Sequence, residues 1–308
     1  MPNNNPMRGT SPFKIGMLDL CTGMRHRKSM ESFIPKSQAF TLLGMSGVGK
    51  TTLANKLPRE RWFHYSGDYR IGTRYLGEAI HDDLYLAAMQ VPKLAALLKS
   101  DSLYLRSNIS MNNLAPLSAW IGTLGDAAEG GHSHAEFTHR QGLHEDAEAA
   151  ALLDVGYFMD RATTVYGYDH FLVDAGGSLI EIVDLEDPAN DPVLQHLMER
   201  TQLVYIEATE DHVESLIERT IAYPKPMFYR ADFLDASVRA YGEEIGVKNA
   251  DDFHPLEFVK WVFPRLIDAR RQRYERLVSA GLALRVSADD IARVENEADF
   301  FDLIGKAR

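Results

Sequence analysis

The sequence predicts an α/β fold of three layers, with a parallel five-stranded sheet and a helical insertion between strands 2 and 3. Apolar runs of strand length alternate with longer stretches of helical periodicity, which is typical of a parallel sheet covered by helices on both faces. The runs lie at 40–43, 62–66, 171–174, 203–208 and 283–286. Between 72 and 168 no such run occurs, and apolar residues recur at i, i+3 and i+4, which predicts the helical insertion.

A glycine-rich loop follows the first predicted strand. It has the pattern G-x-x-x-x-G-K-T and comprises Gly44, Met45, Ser46, Gly47, Val48, Gly49, Lys50, Thr51 and Thr52. Glycines let the backbone approach a phosphate closely, and the amides of the loop and of the next helix point at the anion. Lys50 supplies a charge for the β- and γ-phosphates, and the Thr51 hydroxyl is a ligand for Mg²⁺. Because a strand precedes the loop and a helical pattern follows it, the sequence predicts binding of ATP and Mg²⁺ here.

Composition restricts the class of protein. The chain has 308 residues, a formal net charge of −11 and one cysteine, Cys21. The acidic balance argues against nucleic acid and anionic membranes as partners, and a single cysteine excludes internal disulfides and cysteine-rich metal sites. No apolar run approaches the length of a membrane span, and the N-terminus lacks the apolar segment of a secretory signal. We therefore expect a cytoplasmic enzyme.

The predicted domain organisation has three parts. Residues 1–37 are expected to form a flexible tail, because they combine Asn- and Pro-containing sequence with a short basic cluster. Residues 38–308 are expected to form the α/β domain, in which the insertion at 72–168 selects the substrate. Four histidines of the insertion lack a carboxylate or cysteine at a ligand spacing, so we expect them at the surface rather than around a metal. They are His132, His134, His139 and His144.

Two aspartates follow predicted strands. Asp174 ends the third strand, a pattern whose carboxylate holds Mg²⁺ in nucleotide-binding enzymes. Gly176 and Gly177 come next and permit a ligand to approach the backbone closely. Asp68 follows the second strand, and ligands of parallel sheets bind beyond the carboxyl ends of the strands. We therefore expect Asp68 at the edge of the phosphate site; the alternative is that it caps the helix that begins near Tyr69, and the two roles are compatible.

Several cations are candidates for charge stabilisation. Arg219 and Lys225 follow the fourth strand in a segment that contains two prolines. This arrangement suits a lid that closes over a triphosphate, although an ordinary surface loop explains it equally well. Arg270 belongs to a long helix predicted at 257–280, and Arg140 belongs to the insertion. A planar guanidinium suits a carboxylate or a phosphate.

Taken in chain order, these segments resemble the shikimate kinase and gluconate kinase branch of the P-loop small-molecule and nucleotide kinases. The matching segments are Gly44 to Thr52, Ser66 to Asp68, Phe171 to Gly177, Val204 to Ala208 with Arg219 and Lys225 to Phe228, and Arg270 to Tyr274 with Leu284 to Asp289. Two positions depart from the family pattern. Ser66 stands where shikimate kinases have the first acid of a D-x-D, and Lys225 stands where an arginine is usual. The insertion matches nothing in the short acceptor domain of those kinases, except at Arg140 and Glu145.

The resemblance implies a three-layer P-loop NTPase fold and an ATP-dependent phosphotransferase that acts on a hydroxyl of a small metabolite or nucleotide. Asp68 would deprotonate the acceptor hydroxyl, while Lys50, Arg219 and Lys225 would stabilise charge on the transferred phosphoryl group. Thr51 and Asp174 would hold Mg²⁺. The acceptor would lie against Gly176 and Gly177, with an anionic group clamped by Arg140 and Arg270.

Two alternatives to a small-molecule kinase stay open at the level of sequence. The first is a regulatory P-loop ATPase or switch, which would use its helical insertion to bind a protein partner and water as the acceptor. The second is a kinase acting on nucleic-acid ends or on a nucleotide sugar, and the acidic composition argues only against nucleic-acid ends.

Overall fold

A computed structural model describes residues 34–308. The predicted tail at 1–37 therefore lies mostly outside the described residues. Of its last residues, Ile34 is buried in the core of the domain, and a single 3₁₀ turn at Lys36–Gln38 leads into the first strand.

Five parallel strands form one sheet, as the sequence predicts, and the fold class is confirmed. The strands are β1 (Ala39–Leu43), β2 (Trp62–Ser66), β3 (His170–Asp174), β4 (Gln202–Glu207) and β5 (Leu284–Ser287). Their order across the sheet is β2-β3-β1-β4-β5. Every residue of β1 is buried, because the central strand of such a sheet is covered on both faces.

The remaining regular structure of the domain is helical. They are α1 (Lys50–Lys56), α2 (Gly67–Arg70), α3 (Gly77–Met89), α4 (Pro92–Lys99), α5 (Ala115–Ile121), α6 (His134–Leu153), α7 (Val155–Thr164), α8 (Leu179–Ile182), α9 (Pro192–Arg200), α10 (Glu210–Ala222), α11 (Ala231–Ile245), α12 (Pro255–Ser279), α13 (Ala288–Arg293) and α14 (Glu297–Ala307). Within the described residues, no helix is both long and apolar enough to cross a bilayer.

Between β2 and β3 the chain forms only helices, one π-helical turn at Ile71–Tyr75, one 3₁₀ turn and loops with isolated bridges. The helical insertion is therefore where the sequence places it. Its longest helix, α6, begins at a serine cap, since Ser133 Oγ accepts a hydrogen bond from the Glu136 amide. The same local rule applies at the last strand, where the predicted cap Ser287 accepts from the Asp290 amide at 3.0 Å.

The register of the sheet brings three loops to one edge. Asp174, at the end of β3, pairs with Leu42 of β1 and with Ser66 of β2. The glycine-rich loop after β1, helix α2 after β2 and the segment after β3 therefore all begin at the same level. This edge is where the candidate site lies.

Candidate functional site

The loop after β1 has the backbone that its glycines allow. Gly44, Gly47 and Gly49 have φ values of 141°, 87° and 97°, a region that disfavours every residue with a side chain. Helix α1 begins directly after the last of them, so its first amides face the loop. Lys50 Nζ donates to the carbonyl oxygens of Gly44 at 2.7 Å and Met45 at 3.1 Å. Burial lowers the pKa of Lys50, and the nearby carboxylates of Asp174 and Asp68 oppose that shift.

The two residues predicted to hold Mg²⁺ are in direct contact. Thr51 Oγ1 donates a hydrogen bond of 2.7 Å to Asp174 Oδ2, although the two residues are distant in sequence. A hydroxyl and a carboxylate beside a phosphate-binding loop are the oxygen ligands that Mg²⁺ prefers. Among residues 34–308 no group of three or more His, Cys, Asp or Glu is arranged for a metal. A magnesium ion here would thus need phosphate oxygens and water to complete its coordination, and the pair fits that role.

Asp68 lies inside the site and does not cap a helix. The cap of α2 is Ser66, whose Oγ accepts a hydrogen bond from the Tyr69 amide at 3.3 Å. The helix-cap alternative for Asp68 is therefore wrong. A Cβ atom built on Gly176 would stand only 2.4 Å from Asp68 Oδ1, so this carboxylate faces the backbone after β3. Burial raises the pKa of Asp68 to about 6, and the Asp174 carboxylate adds to the rise.

Arg270 reaches the same edge from α12. A Cβ built on Gly177 would lie 3.6 Å from its Nη1 and 3.7 Å from the Ser46 amide nitrogen. Arg270 is only 4% exposed. Its Nε donates to Glu181 Oε1 at 2.9 Å and its Nη2 to the Phe228 carbonyl at 3.1 Å. The guanidinium is therefore beside the phosphate loop, but its charge is already balanced by a buried carboxylate.

The two predicted lid cations flank a cavity of about 380 Å³ beside the phosphate loop. Both Arg219 and Lys225 line it and are exposed. Arg219 also approaches the loop directly, because a Cβ built on Gly47 would lie 3.3 Å from its Nη2.

The chain just beyond these cations is fixed to α6. Gln141 accepts a hydrogen bond from the Tyr229 amide at 2.8 Å and donates one to the Met227 carbonyl at 3.2 Å. Phe228 and Tyr229 are buried. Any lid movement would therefore involve the segment 219–226 rather than the residues after it.

Arg140 is the one predicted site residue whose contacts lie within the insertion. It donates to Glu136 Oε1 at 2.7 Å, to Asp83 Oδ1 at 2.8 Å and to the Trp120 carbonyl. Its guanidinium also lies over the Trp120 ring, 5.3 Å from the centroid. The structure thus gives Arg140 a role in joining α3, α5 and α6, and it does not bring this side chain to Asp68.

Four further polar residues at this edge are absent from the sequence-based set. Glu148 and His144 come from α6, Glu181 from α8 and His64 from β2. His64 Nε2 lies 3.9 Å from Asp174 Oδ2. The expectation of a surface position is wrong for His144, whose ring is buried in a stack on Phe228.

The signal for the α6 residues was present in the sequence. The buried positions of this helix recur at helical spacing, and charged or polar residues occupy several of them. They are Phe137, Arg140, Gln141, His144, Ala147, Glu148, Ala151 and Leu152. A carboxylate on the apolar stripe of a helix requires a partner or a ligand, and that requirement singles out Glu148.

Comparisons with known proteins leave the family open. No protein-family model matches the chain, and no curated protein matches it in sequence. Among solved structures, a shikimate kinase from Bacteroides thetaiotaomicron aligns with 75% of this chain and 98% of its own, at 14% identity and a TM-score of 0.27. That enzyme is of the kind whose motifs the sequence resembles. At this identity and TM-score, however, the likeness carries no weight for fold or activity.

Proposed function

We propose that this chain is an ATP-dependent phosphotransferase that moves the γ-phosphoryl group of Mg-ATP to a hydroxyl of a small metabolite or nucleotide. One observation carries the proposal. The carboxylate of Asp68 has no capping role and faces Gly176 beside Lys50 and Asp174. A carboxylate held there, in addition to the one that would bind the metal, can orient and deprotonate the oxygen that attacks the γ-phosphoryl group.

The chemistry of Asp68 suits a general base. A base is most effective when its pKa lies near the working pH, and burial raises the pKa of Asp68 to about 6. It would accept the proton of the acceptor hydroxyl as the oxygen attacks phosphorus. Because Gly176 lacks a side chain, the Asp68 carboxylate can stand this close to the backbone after β3.

The cations have separate roles in this proposal. Lys50 would leave the carbonyls of its own loop and bind the phosphates. Arg219 and Lys225, which line the cavity over the loop, would stabilise charge on the transferred group. Thr51 and Asp174 would hold Mg²⁺, which supplies charge neutralisation between the β- and γ-phosphates.

The test is the substitution Asp68→Asn, which keeps the shape of the side chain and removes the base. We expect ATP affinity, measured by calorimetry, to stay near the wild-type value. We expect transfer of labelled phosphoryl from ATP into a metabolite extract to fall by ~10²–10⁴-fold, as for the removal of a general base. Asp82→Asn, at an exposed position of α3, is the matched control and should transfer label normally.

Two results would contradict the proposal. Wild-type transfer by Asp68→Asn would remove Asp68 from the mechanism. A parallel loss of Mg-ATP affinity would instead identify Asp68 as part of the metal site.

A regulatory ATPase is the second candidate, and one observation favours it. The insertion exposes Leu86, Val91 and Tyr104, which are large apolar side chains of the kind that partner surfaces use. Release of ADP at the same rate with and without the metabolite extract would support this candidate over a kinase.

A further inference from the structure

A buried carboxylate without a partner lies beside Asp68. Glu148 is 1% exposed, and neither of its carboxylate oxygens has a hydrogen-bond partner of standard geometry among the described residues, although the Ser178 side chain lies near enough to oppose the rise that burial causes in the pKa of Glu148. A Cβ built on Gly176 would stand 3.1 Å from Glu148 Oε1 and 2.4 Å from Asp68 Oδ1. The two carboxyl groups therefore flank the same glycine, and their oxygens are separated by no more than the sum of these two distances.

Other polar groups around Glu148 are also unsatisfied. His144 Nδ1 lies 3.9 Å from Glu148 Oε2 and is buried without a hydrogen-bond partner in residues 34–308. The Tyr229 hydroxyl, on which the charges of Arg270 and Glu181 act, is buried without a partner in the same residues. Burying a polar group without a hydrogen-bond partner costs free energy. Several such groups in one place indicate that a ligand supplies the missing hydrogen bonds.

The charges in the cluster disfavour an anion as that ligand. Asp68 and Glu148 contribute carboxyl groups, while the nearest arginine, Arg270, is paired with Glu181. Arg140, the other candidate for an anion clamp, is bound to Asp83 and Glu136. A carboxylate or phosphate on the acceptor would meet the negative charge of Asp68, and both of these arginines are already paired with carboxylates.

We propose that Glu148 is the second acceptor-binding group of this site, and that the acceptor offers two neighbouring hydrogen-bond donors, as in a 1,2-diol or a 1,2-amino alcohol, and carries no anionic group. This inference rests on the proposed phosphotransferase function and narrows its acceptor to a small metabolite, because a nucleotide carries phosphate. One donor is the hydroxyl that Asp68 deprotonates, and the other is a hydroxyl or an ammonium group that binds Glu148.

The protonation of Glu148 distinguishes the two kinds of acceptor. Burial raises the pKa of Glu148 to about 8, and the neighbouring Asp68 carboxylate contributes to the rise. At neutral pH the free protein therefore holds Glu148 mostly protonated, and in that form it can both donate to and accept from a hydroxyl. An ammonium group would instead stabilise the ionised carboxylate and release its proton.

The experiment measures binding of three probes to protein saturated with Mg²⁺ and a non-hydrolysable ATP analogue. The probes are myo-inositol, which has adjacent hydroxyls, glucosamine, which has an ammonium beside a hydroxyl, and glucuronate, which adds a carboxylate. We expect myo-inositol, glucosamine or both to bind saturably. Glucuronate should bind more weakly than whichever of these two probes binds. Glu148→Ala should weaken this binding about tenfold or more, because a hydrogen bond to a charged or buried group is lost.

The substitution Glu148→Gln distinguishes a hydroxyl from an ammonium group as the second hydrogen-bond donor of the acceptor. The amide keeps the shape and can bond to a hydroxyl, so myo-inositol binding should be largely retained, whereas glucosamine binding should fall about tenfold with the loss of the charge. Asp146→Asn, on the exposed side of the same helix, is the matched control and should bind all probes as the wild type does. Thermal melting of each variant checks that it is folded.

The outcomes separate this inference from the proposed function. Failure of the wild-type protein to bind the ATP analogue would reject both. If the wild-type protein binds the ATP analogue normally, any of three results would reject the acceptor class and leave the proposed function standing. The first is that glucuronate binds at least as tightly as the other probes, and the second is that neither myo-inositol nor glucosamine binds. The third is that folded Glu148→Ala binds these probes as tightly as the wild type does.

Discussion

The substitution Gly176→Ala tests the geometry of the site without removing any functional group. Gly176 does not have a positive φ, so its backbone accepts alanine. The new Cβ would stand 2.4 Å from Asp68 Oδ1, whereas ordinary van der Waals contact begins at 3.4 Å. The Asp68 carboxylate would therefore have to retreat by about 1 Å, and a misplacement of this size costs about 10²-fold in rate.

The assay compares phosphoryl transfer with nucleotide binding. We expect kcat/KM for the acceptor to fall about 10²-fold in Gly176→Ala, while calorimetry with the ATP analogue gives an unchanged affinity. Gly142→Ala on α6 is the control, because a Cβ there meets no atom within 4 Å. Normal transfer by folded Gly176→Ala would show that Asp68 does not act at this position, and the reasoning from the glycine contact would be refuted.

Three further predictions concern the nucleotide, the pH and the lid. Lys50→Ala should leave the fold intact and lower phosphoryl transfer by about 10²–10³-fold, because a charge contact to the transition state is lost; full turnover would contradict nucleotide chemistry here. Since the pKa of Asp68 is raised to about 6, kcat/KM should decrease about tenfold per pH unit below that value, as the base becomes protonated. A decrease of kcat/KM that begins only near the ordinary pKa of an aspartate would contradict the burial of Asp68. Tryptic cleavage after Arg219 should slow when Mg²⁺ and the ATP analogue bind, whereas cleavage after the exposed Lys99 should not; equal slowing at both sites would contradict a local lid.

The parts of this protein that the sequence predicts are those that local chemistry decides. The glycine loop, the strand that leads into it and the Thr51–Asp174 pair follow from short patterns whose context is also local. The strand boundaries shift by only one residue, as at β4, which covers Gln202–Glu207. The position of Asp68 at the edge of the sheet follows from the rule that parallel strands carry their ligands at their carboxyl ends.

The parts that the sequence does not predict depend on partners distant in the chain. In a sequence, an arginine is equally compatible with binding an anionic ligand and with forming an ion pair inside the protein. For Arg140 and Arg270 the choice is made by Asp83 and Glu181, which only packing brings near. The strand order of the sheet and the burial of His144 against Phe228 are of the same kind.

Helix α6 shows how the helical insertion reaches the candidate site. One face of this helix carries Glu148 to the glycine beside Asp68, and one turn earlier His144 stacks on Phe228. Gln141 then holds the backbone on both sides of Phe228, immediately after the cations of the cavity. The insertion is therefore fixed both to the catalytic edge of the sheet and to the base of the segment that lies over the phosphate loop. If Glu148 binds the acceptor and the segment 219–226 closes over the nucleotide, as proposed above, both act through this one helix.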